Sequence, residues 1–398
     1  MDQENSQSKD DQNLNHAPVQ SLRELIDLVT GRAFHDQMQQ EDAGLVDVPP
    51  YPFLAFVGQD EMKMALLFAA INPLVNGVLL IGPRGTGKTT IVRSMADLLP
   101  EVQRSACFYG CLPEDIETGG IDAVCPDCAR KYGEGLPLTR LERAKLIELP
   151  LNARLEDVIG GWDERSLAQH SPRTKSGILK QADLNILYID EVNLLSDEII
   201  NAVLDAAAQG MYTVRRGPLS NSYRARFTLI GSMNPEEGNL RPQIMDRFGL
   251  RVLARGLSET DERLEAYHRS RAYRQNPRAT AAQYAIETEA ARAEIPAARN
   301  RLPEVSIPDE IERAGVKLVQ QLGIDSLRAE IAMFEAARAC AAADARTRVS
   351  IADLKIAAPM ALRLRQSPFM IKYFKEQDEE ESRLKKTLSD LFDQQGFA

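Results

Sequence analysis

One short segment, GPRGTGKT at residues 82–89, constrains the fold more than any other part of the chain. It has the G-x-x-x-x-G-K-[ST] spacing, follows the apolar run GVLLI (77–81) and precedes the helical pattern IVRSMADLL (91–99). Glycines in this spacing let backbone N–H groups turn toward phosphate oxygens, and the following helix presents the positive end of its dipole to the same anion. The segment therefore predicts a strand, a phosphate-binding loop and a helix in that order.

Three further apolar runs share the character of the run before this loop, and each lies between segments with a helical pattern. They are NILYI (185–189), FTLIG (227–231) and LRVLA (250–254). Short continuous apolar runs of this kind are typical of strands buried on both faces of a parallel sheet. Residues 46–255 are therefore expected to form an α/β P-loop NTPase core with helices on both faces of the sheet.

The rest of the chain lacks strand patterns and divides by composition. Residues 1–45 are polar and are expected to be largely disordered, because they carry too little apolar surface to offset the entropy of ordering. We expect a long helical linker over 256–305, a small C-terminal helical lid domain over 306–370 and a charged tail over 371–398.

Charge and hydropathy exclude several classes of protein. The 398 residues include 48 Lys and Arg against 58 Asp and Glu, and this net charge of −10 argues against a protein that coats nucleic acid. No apolar run reaches the roughly 18 residues that a membrane-spanning helix needs. The acidic start MDQENSQSKDDQNLN has no secretory pattern. We expect a cytoplasmic protein with no membrane span and no nucleic-acid partner.

Polar residues of the loop and of a second strand end form a candidate ATPase site. Lys88 is expected between the β- and γ-phosphates of ATP, and the Thr89 hydroxyl is expected to bind Mg²⁺. Asp190 and Glu191 follow the run NILYI, at the sheet edge where open α/β sheets bind ligands. Asp190 is expected to hold Mg²⁺ and Glu191 to orient and polarise the attacking water. The residues expected to bind ATP and Mg²⁺ are Gly82, Pro83, Arg84, Gly85, Thr86, Gly87, Lys88, Thr89, Thr90 and Asp190.

Three more polar residues fit an ATPase that works between subunits. Asn234 follows the run FTLIG, from which it could reach the γ-phosphate or the attacking water. Arg247 precedes another strand, and an arginine there can project into a neighbouring subunit's site and stabilise transition-state charge. Arg328 begins a helix of the lid domain and is expected to reach phosphates when that domain folds over the site.

These residues carry a family resemblance. The loop, the Asp190-Glu191 pair, Asn234, Arg247 and Arg328 resemble the Walker A, Walker B, sensor 1, arginine-finger and sensor 2 positions of AAA+ ATPases. The segments YIDEVNLL (188–195) and NPEEGNLRPQIMDRFGL (234–250) are more specific. With them, most of the chain from residue 50 to residue 370 resembles the ATPase subunit I of magnesium chelatase.

The resemblance implies a motor subunit. Magnesium chelatase inserts Mg²⁺ into protoporphyrin IX in the biosynthesis of chlorophyll and bacteriochlorophyll. Its subunit I forms a hexameric AAA+ ring and works with a D subunit and a porphyrin-binding H subunit. In this family hairpin insertions decorate the core, and residues 149–161 and 211–224 match their positions. The residue pattern alone predicts a two-stranded insertion only for 211–224.

Two other functions share much of this pattern. A MoxR-like chaperone ATPase has the same kind of core and remodels a protein complex without stimulating metal insertion. The ATPase subunit of a cobalt chelatase is a close variant that the sequence separates poorly. A DNA-directed helicase or transcription activator is disfavoured by the acidic charge.

Four of the five cysteines lie close together in an insertion expected at 105–130. Cys107, Cys111, Cys125 and Cys128 have the spacing C-x3-C-x13-C-x2-C. Two close pairs of cysteines can supply four thiolates to a tetrahedral Zn²⁺, although a C-x3-C pair and a short loop are atypical. A C-x2-C pair can also be a redox dithiol, and the cysteines can lack chemistry altogether. The sequence leaves these three alternatives open.

Overall fold

A computed structural model of the chain describes residues 48–107, 109–162, 174–216, 219–366, 377 and 379–387. Residues 1–45, which are expected to be disordered, and most of the charged tail from residue 371 lie outside the described residues. The chain divides into one unit up to Val48 and another from Pro49 onward, and every element below belongs to the second unit. None of the helices in the described ranges is both long and apolar enough to cross a membrane.

In the described residues, strands and helices alternate up to residue 253, and the elements named after it are helices. The strands are β1 Val78–Ile81, β2 Glu101–Ser105, β3 Thr139–Arg143, β4 Leu146–Leu149, β5 Gly161–Trp162, β6 Thr174–Lys175, β7 Ile186–Ile189, β8 Met211–Arg216, β9 Leu219–Arg224, β10 Thr228–Met233 and β11 Leu250–Leu253. The helices are α1 Asp60–Ile71, α2 Lys88–Met95, α3 Pro113–Gly119, α4 Pro126–Gly133, α5 Leu155–Ile159, α6 Ile178–Ala182, α7 Asp197–Gln209, α8 Pro242–Arg247, α9 Thr260–Gln275, α10 Pro277–Gln283, α11 Ala285–Arg301, α12 Asp309–Gln321, α13 Leu327–Ala343 and α14 Ile351–Leu362.

A five-stranded parallel sheet positions the candidate site. Its strand order is β11-β1-β10-β7-β4, and every neighbouring pair in it is parallel. Along β1, Val78 and Leu80 pack into the apolar cluster on one face of the sheet, whereas Leu79 and Ile81 pack into the cluster on the other. Both faces are therefore covered, which confirms the predicted α/β class and explains why the strand sequences are continuously apolar. The carboxyl ends of β1, β7 and β10 meet at one edge.

The predicted strand runs are confirmed as β1, β7, β10 and β11, but one insertion was predicted in the wrong place. Residues 211–224 form the expected antiparallel hairpin of β8 and β9. Residues 149–161 instead contain a turn and the short helix α5, and the antiparallel pair lies later, between β5 and β6. The sequence shows that an insertion is present here. It does not show where its strands lie, because strands of two residues are too short to carry a recognisable pattern.

The cysteine-bearing insertion is longer than expected and has a defined base. It lies between β2 and β3, which pair antiparallel, and the ladder continues to a hydrogen bond from the Ala106 N–H to the Leu138 carbonyl (2.8 Å). Helices α3 and α4 lie inside it. We refer to residues 106–138 as the cysteine insertion.

The helices after β11 pack back onto the core. Ile295 and Ala298 of α11 lie in the same apolar cluster as α1 and as the buried alanines of α13. Helix α14 begins at a capping box in which Ser350 and Asp353 exchange hydrogen bonds. Asp353 is 1% exposed, and two guanidinium nitrogens of Arg346 also donate to it.

We expect Asp353→Asn to destabilise the protein in a pH-dependent way. Burial opposes ionisation of Asp353, but hydrogen bonds from Arg346 and Ser350 outweigh it and lower its pKa from 3.8 to about 2. A depressed carboxyl pKa stabilises the folded state above the unfolded-state pKa, and that contribution disappears as pH falls from about 4 to about 2. The variant should therefore lose about 2 kcal/mol at neutral pH and progressively less below pH about 4.

The measurement is the urea midpoint of each protein at neutral and acidic pH. Asp309→Asn is the matched control, because Asp309 is an exposed aspartate in the first turn of the neighbouring helix α12. Equal midpoint shifts for the two variants at neutral pH would contradict the prediction.

Candidate active site

The loop after β1 has the backbone that a phosphate-binding loop requires. Gly87 caps α2 with φ 83°, a left-handed conformation that favours glycine. A Cβ at Gly82 would lie 2.2 Å from the carbonyl oxygen of Ala254, so no side chain fits there. Lys88 is buried, and its Nζ donates to the carbonyl oxygens of Gly82 (2.7 Å) and Pro83 (2.9 Å). The loop thus curls around its own lysine.

A hydroxyl and a carboxylate from two elements meet beside this loop. The Thr89 hydroxyl donates to Asp190 Oδ2 (3.1 Å), and the Tyr188 hydroxyl donates to Asp190 Oδ1 (2.8 Å). Ser232 of β10 also donates to Oδ1. Burial opposes ionisation of Asp190, but these three hydroxyls outweigh it and hold the pKa of the carboxyl below its usual range. An ionised carboxylate next to a hydroxyl is a suitable ligand pair for Mg²⁺.

Glu191 lies at the edge of the same cavity and is held in an unusual backbone conformation. Its φ and ψ are both 54°, and its N–H donates to Ser232 Oγ (3.1 Å). Its carboxylate lies 3.6 Å from a guanidinium nitrogen of Arg84, which also pairs with Glu237. Partial burial and the neighbouring Glu237 raise the pKa of Glu191. A non-glycine residue in the left-handed region is uncommon and tends to occur at functional sites.

Most of the residues expected to bind ATP and Mg²⁺ line one cavity of about 230 Å³ together with Glu191 and Asn234, whereas Gly82 and Pro83 do not line it. Its walls include the side chain of Asn234, which is 3% exposed and whose Oδ1 accepts from the Glu236 N–H (3.3 Å). Asn234 thus both caps the turn that follows β10 and lines the cavity. The lining residues are Arg84, Gly85, Thr86, Gly87, Lys88, Thr89, Thr90, Asp190, Glu191, Ser232 and Asn234.

The two expected arginines lie together, outside this cavity. Arg247 donates to Asp205 Oδ1 (2.6 Å) and not to its neighbour Asp246. Arg328 donates to Asp246 Oδ2 (3.0 Å), and both arginines line a separate cleft. The structure therefore brings Arg328 to Arg247, and neither lines the cavity at this chain's own phosphate loop.

Comparisons with known proteins agree with this geometry. The AAA domain profile matches residues 76–234, and the AAA lid domain profile matches residues 312–385. A magnesium-chelatase subunit ChlI homolog of Methanocaldococcus jannaschii is 42% identical over 80% of this chain and 87% of its own length. The magnesium-chelatase 38 kDa subunit of Acidiphilium rubrum is 42% identical over 80% of this chain and 92% of its own length. The chain belongs to the magnesium-chelatase subunit I family.

One solved structure, a 7.5 Å cryo-EM reconstruction, is of a member of this family with a partner. It is the complex between subunits BchI and BchD of magnesium chelatase, and it contains a chain 38% identical to this one. The match covers 80% of this chain and 96% of that chain, with a TM-score of 0.46.

A second cavity, next to the loop, was not predicted from the sequence. It measures about 370 Å³ and is bounded on one side by the loop residues Gly85, Thr86 and Gly87. Tyr51 and Phe56 line it, with their rings edge to face at 5.1 Å. Aromatic rings beside the phosphate loop offer this cavity a surface on which a flat ring can stack. The missed signal was the aromatic cluster YPFLAF (51–56), which precedes the loop by 26 residues or more.

The residues present fit ATP with Mg²⁺, the pair that the AAA ATPase family uses. The loop offers backbone N–H groups and one buried ammonium, which suit a polyphosphate. The Thr89 hydroxyl and the Asp190 carboxylate, 3.1 Å apart, offer Mg²⁺ two oxygen ligands.

The four clustered cysteines lie apart from this cavity, in the cysteine insertion. Their Sγ atoms all lie within 4.8 Å of one another, and all four are free thiols. The fifth, Cys340, is buried in α13 among alanines.

Proposed function

We propose that this chain is the ATPase motor subunit of a magnesium chelatase, coupling ATP hydrolysis to the insertion of Mg²⁺ into protoporphyrin IX. The observation that carries the proposal is the separation of Arg247 and Arg328 from the cavity at Lys88, Asp190 and Glu191. Such a site is completed by arginines from the next subunit of a ring. Membership of the magnesium-chelatase subunit I family supports the proposal that the hydrolysis drives insertion of Mg²⁺ into protoporphyrin IX.

Each residue of the cavity has a role that follows from its contacts. Lys88 binds the β- and γ-phosphates once its Nζ leaves the carbonyl oxygens of the loop. Mg²⁺, held by Thr89 and Asp190, supplies charge neutralisation at the phosphates when bound. Glu191 orients a water and accepts its proton at the carboxylate, and Asn234 hydrogen-bonds the water or the γ-phosphate.

The two arginines act across the interface in this proposal. Arg247 of one subunit stabilises the charge that develops on the γ-phosphate in the neighbouring site. Arg328 lines the same cleft as Arg247 and binds phosphate oxygens of the nucleotide in the same neighbouring site.

The proposed assembly has three kinds of subunit. Copies of this chain form a hexameric ring, which works with a D subunit and a porphyrin-binding H subunit. Free cysteines close together are typical of a reducing compartment, which supports a cytoplasmic location.

The proposed division of labour within the chain follows its elements. An ATPase core over 46–255 carries the cysteine insertion, a helical linker covers 256–305, and a lid domain covers 306–370. The linker helix α11 packs on both the core helix α1 and the lid helix α13, which supports a lid carried firmly on the core.

Reconstitution tests the proposal. Purified chain mixed with D and H subunits, protoporphyrin IX, Mg²⁺ and ATP should produce the absorbance of Mg-porphyrin, and omitting this chain should abolish it. Replacing Mg²⁺ with Co²⁺ and the partners with cobalt-chelatase subunits tests the close variant. The D and H subunits must first be shown to insert Mg²⁺ with another subunit I. If this chain then hydrolyses ATP but no metal is inserted, a MoxR-like chaperone is favoured instead.

A further inference from the structure

We propose that the cysteine insertion, residues 106–138, binds one structural Zn²⁺ through its four thiolates. This inference does not depend on the proposed function, because the insertion lies apart from the nucleotide cavity. The ligands are Cys107, Cys111, Cys125 and Cys128.

The positions of the sulfurs suit a tetrahedral ion. All four Sγ atoms lie within 4.8 Å of one another, although Cys107 and Cys111 precede helix α3, whereas Cys125 caps α4 and Cys128 lies within it. Zn–S bonds of about 2.3 Å in a tetrahedron place sulfurs about 3.8 Å apart. The cluster therefore needs only a small contraction to hold Zn²⁺, and with four sulfurs the ion has no open position for catalysis.

The insertion lacks the apolar core that would hold it without an ion. Its interior cluster consists of the cysteines with Ile116, Leu138 and Val124. Of its other large apolar side chains, Leu112 is buried, whereas Ile121 and Leu136 are at least half exposed. Segments of this size that cannot bury enough surface usually fold around a metal or disulfides. The sulfurs occupy the place of the missing core.

Polar hydrogens are already aimed at the sulfurs. The Cys111 N–H donates to Cys107 Sγ (3.3 Å), and the Cys125 N–H donates to Cys111 Sγ (3.3 Å). The Ser105 hydroxyl also lies 3.3 Å from Cys107 Sγ. Donors of this kind offset the negative charge of metal-bound thiolates and fix their orientation. Zn²⁺ binding would displace the thiol protons to solvent and leave these donors in place.

The second group of possible ligands in the described chain does not form a competing site. It comprises Cys340, Asp344 and Asp353. Asp353 already accepts from Arg346 and Ser350, which satisfies its charge. Cys340→Ala is therefore a control that removes a buried cysteine without touching the insertion.

Two measurements test the zinc site. Full-length protein purified without chelator should contain about one Zn per chain by elemental analysis, and the same should hold for Cys340→Ala. Cys128→Ser and Cys107→Ser should lose most of it. The wild-type protein exchanged into Co²⁺ gives a second readout that does not depend on the folding of these variants, the intense visible bands of a tetrahedral cobalt tetrathiolate.

Three outcomes would overturn the proposal. Zinc-free protein with a pale octahedral cobalt spectrum would leave the cysteines without a metal. An intact mass lower by the hydrogens of one or two disulfides would establish redox chemistry instead. Full zinc content in folded Cys128→Ser would place the ion elsewhere. ATP hydrolysis by the wild-type chain is measured in parallel, so that a failed zinc site and a failed ATPase are told apart.

Discussion

Glu191→Gln should bind Mg-ATP with wild-type affinity and hydrolyse it slower by on the order of 10² to 10⁴-fold. The amide keeps the size and hydrogen-bonding reach of the carboxylate but cannot accept a proton from water. Glu191 is not among the residues that contact the loop lysine or the Thr89–Asp190 pair, so nucleotide binding should survive. Nucleotide affinity from a fluorescent ATP analogue and phosphate release from ATP measure the two effects separately.

The matched control is Glu237→Gln, the same chemical change in the carboxylate that shares Arg84 with Glu191. Glu237 does not line the cavity at the phosphate loop, so its variant should keep most of the activity. If both variants lose hydrolysis equally, the loss comes from the shared ion pair with Arg84 and the role of Glu191 as base is wrong.

Arg247→Ala should lower hydrolysis by on the order of 10³ to 10⁵-fold in rings made only of the variant. Its ion pair with Asp205 is half exposed and contributes little to folding, so the loss should not reflect unfolding. The decisive measurement is a mixed ring. Arg247→Ala subunits mixed with Lys88→Ala subunits should recover activity, because each interface that joins an intact loop to an intact arginine is complete.

Arg226→Ala is the control for this experiment, since Arg226 is likewise a partly exposed arginine paired with an acid, Asp183, but lies outside both clefts that hold the candidate site residues. It should hydrolyse ATP at the wild-type rate. Absence of complementation in mixed rings that demonstrably exchange subunits would mean that Arg247 acts within its own chain.

The sequence predicted best those elements whose structure can be recognised from a single strand or loop. The apolar runs of β1, β7, β10 and β11 are buried on both faces, so their composition alone predicts them. The loop at 82–89 and the Asp190-Glu191 pair needed only the rule that parallel strands end at one edge. The cavity lined by these residues has that arrangement.

Features that depend on distant contacts were missed or misplaced. Strand β4 is Leu146–Leu149 with the sequence LIEL, in which Glu148 interrupts the apolar run, and it joins the sheet by pairing with β7. The helix α13 leaves Leu327 and Ile331 exposed and instead buries Met333 with a run of alanines, against which α14 and α1 pack. The aromatic-lined cavity at Tyr51 and Phe56 requires the chain to return to the loop from outside the motif.

In the proposed ring of these subunits, the carboxylate of Asp246 would link one site to the next in a fixed direction. It accepts from Arg328 and Ser326 at the start of α13 and from buried Arg365 (2.6 Å) beyond α14, while Arg247 is the next residue along the chain. The end of α8, which bears the proposed arginine finger Arg247, is therefore held to the lid by these hydrogen bonds. We expect a change of phosphate state in one site to tilt the neighbour's lid as a rigid lever, so that signals travel around the ring one way only.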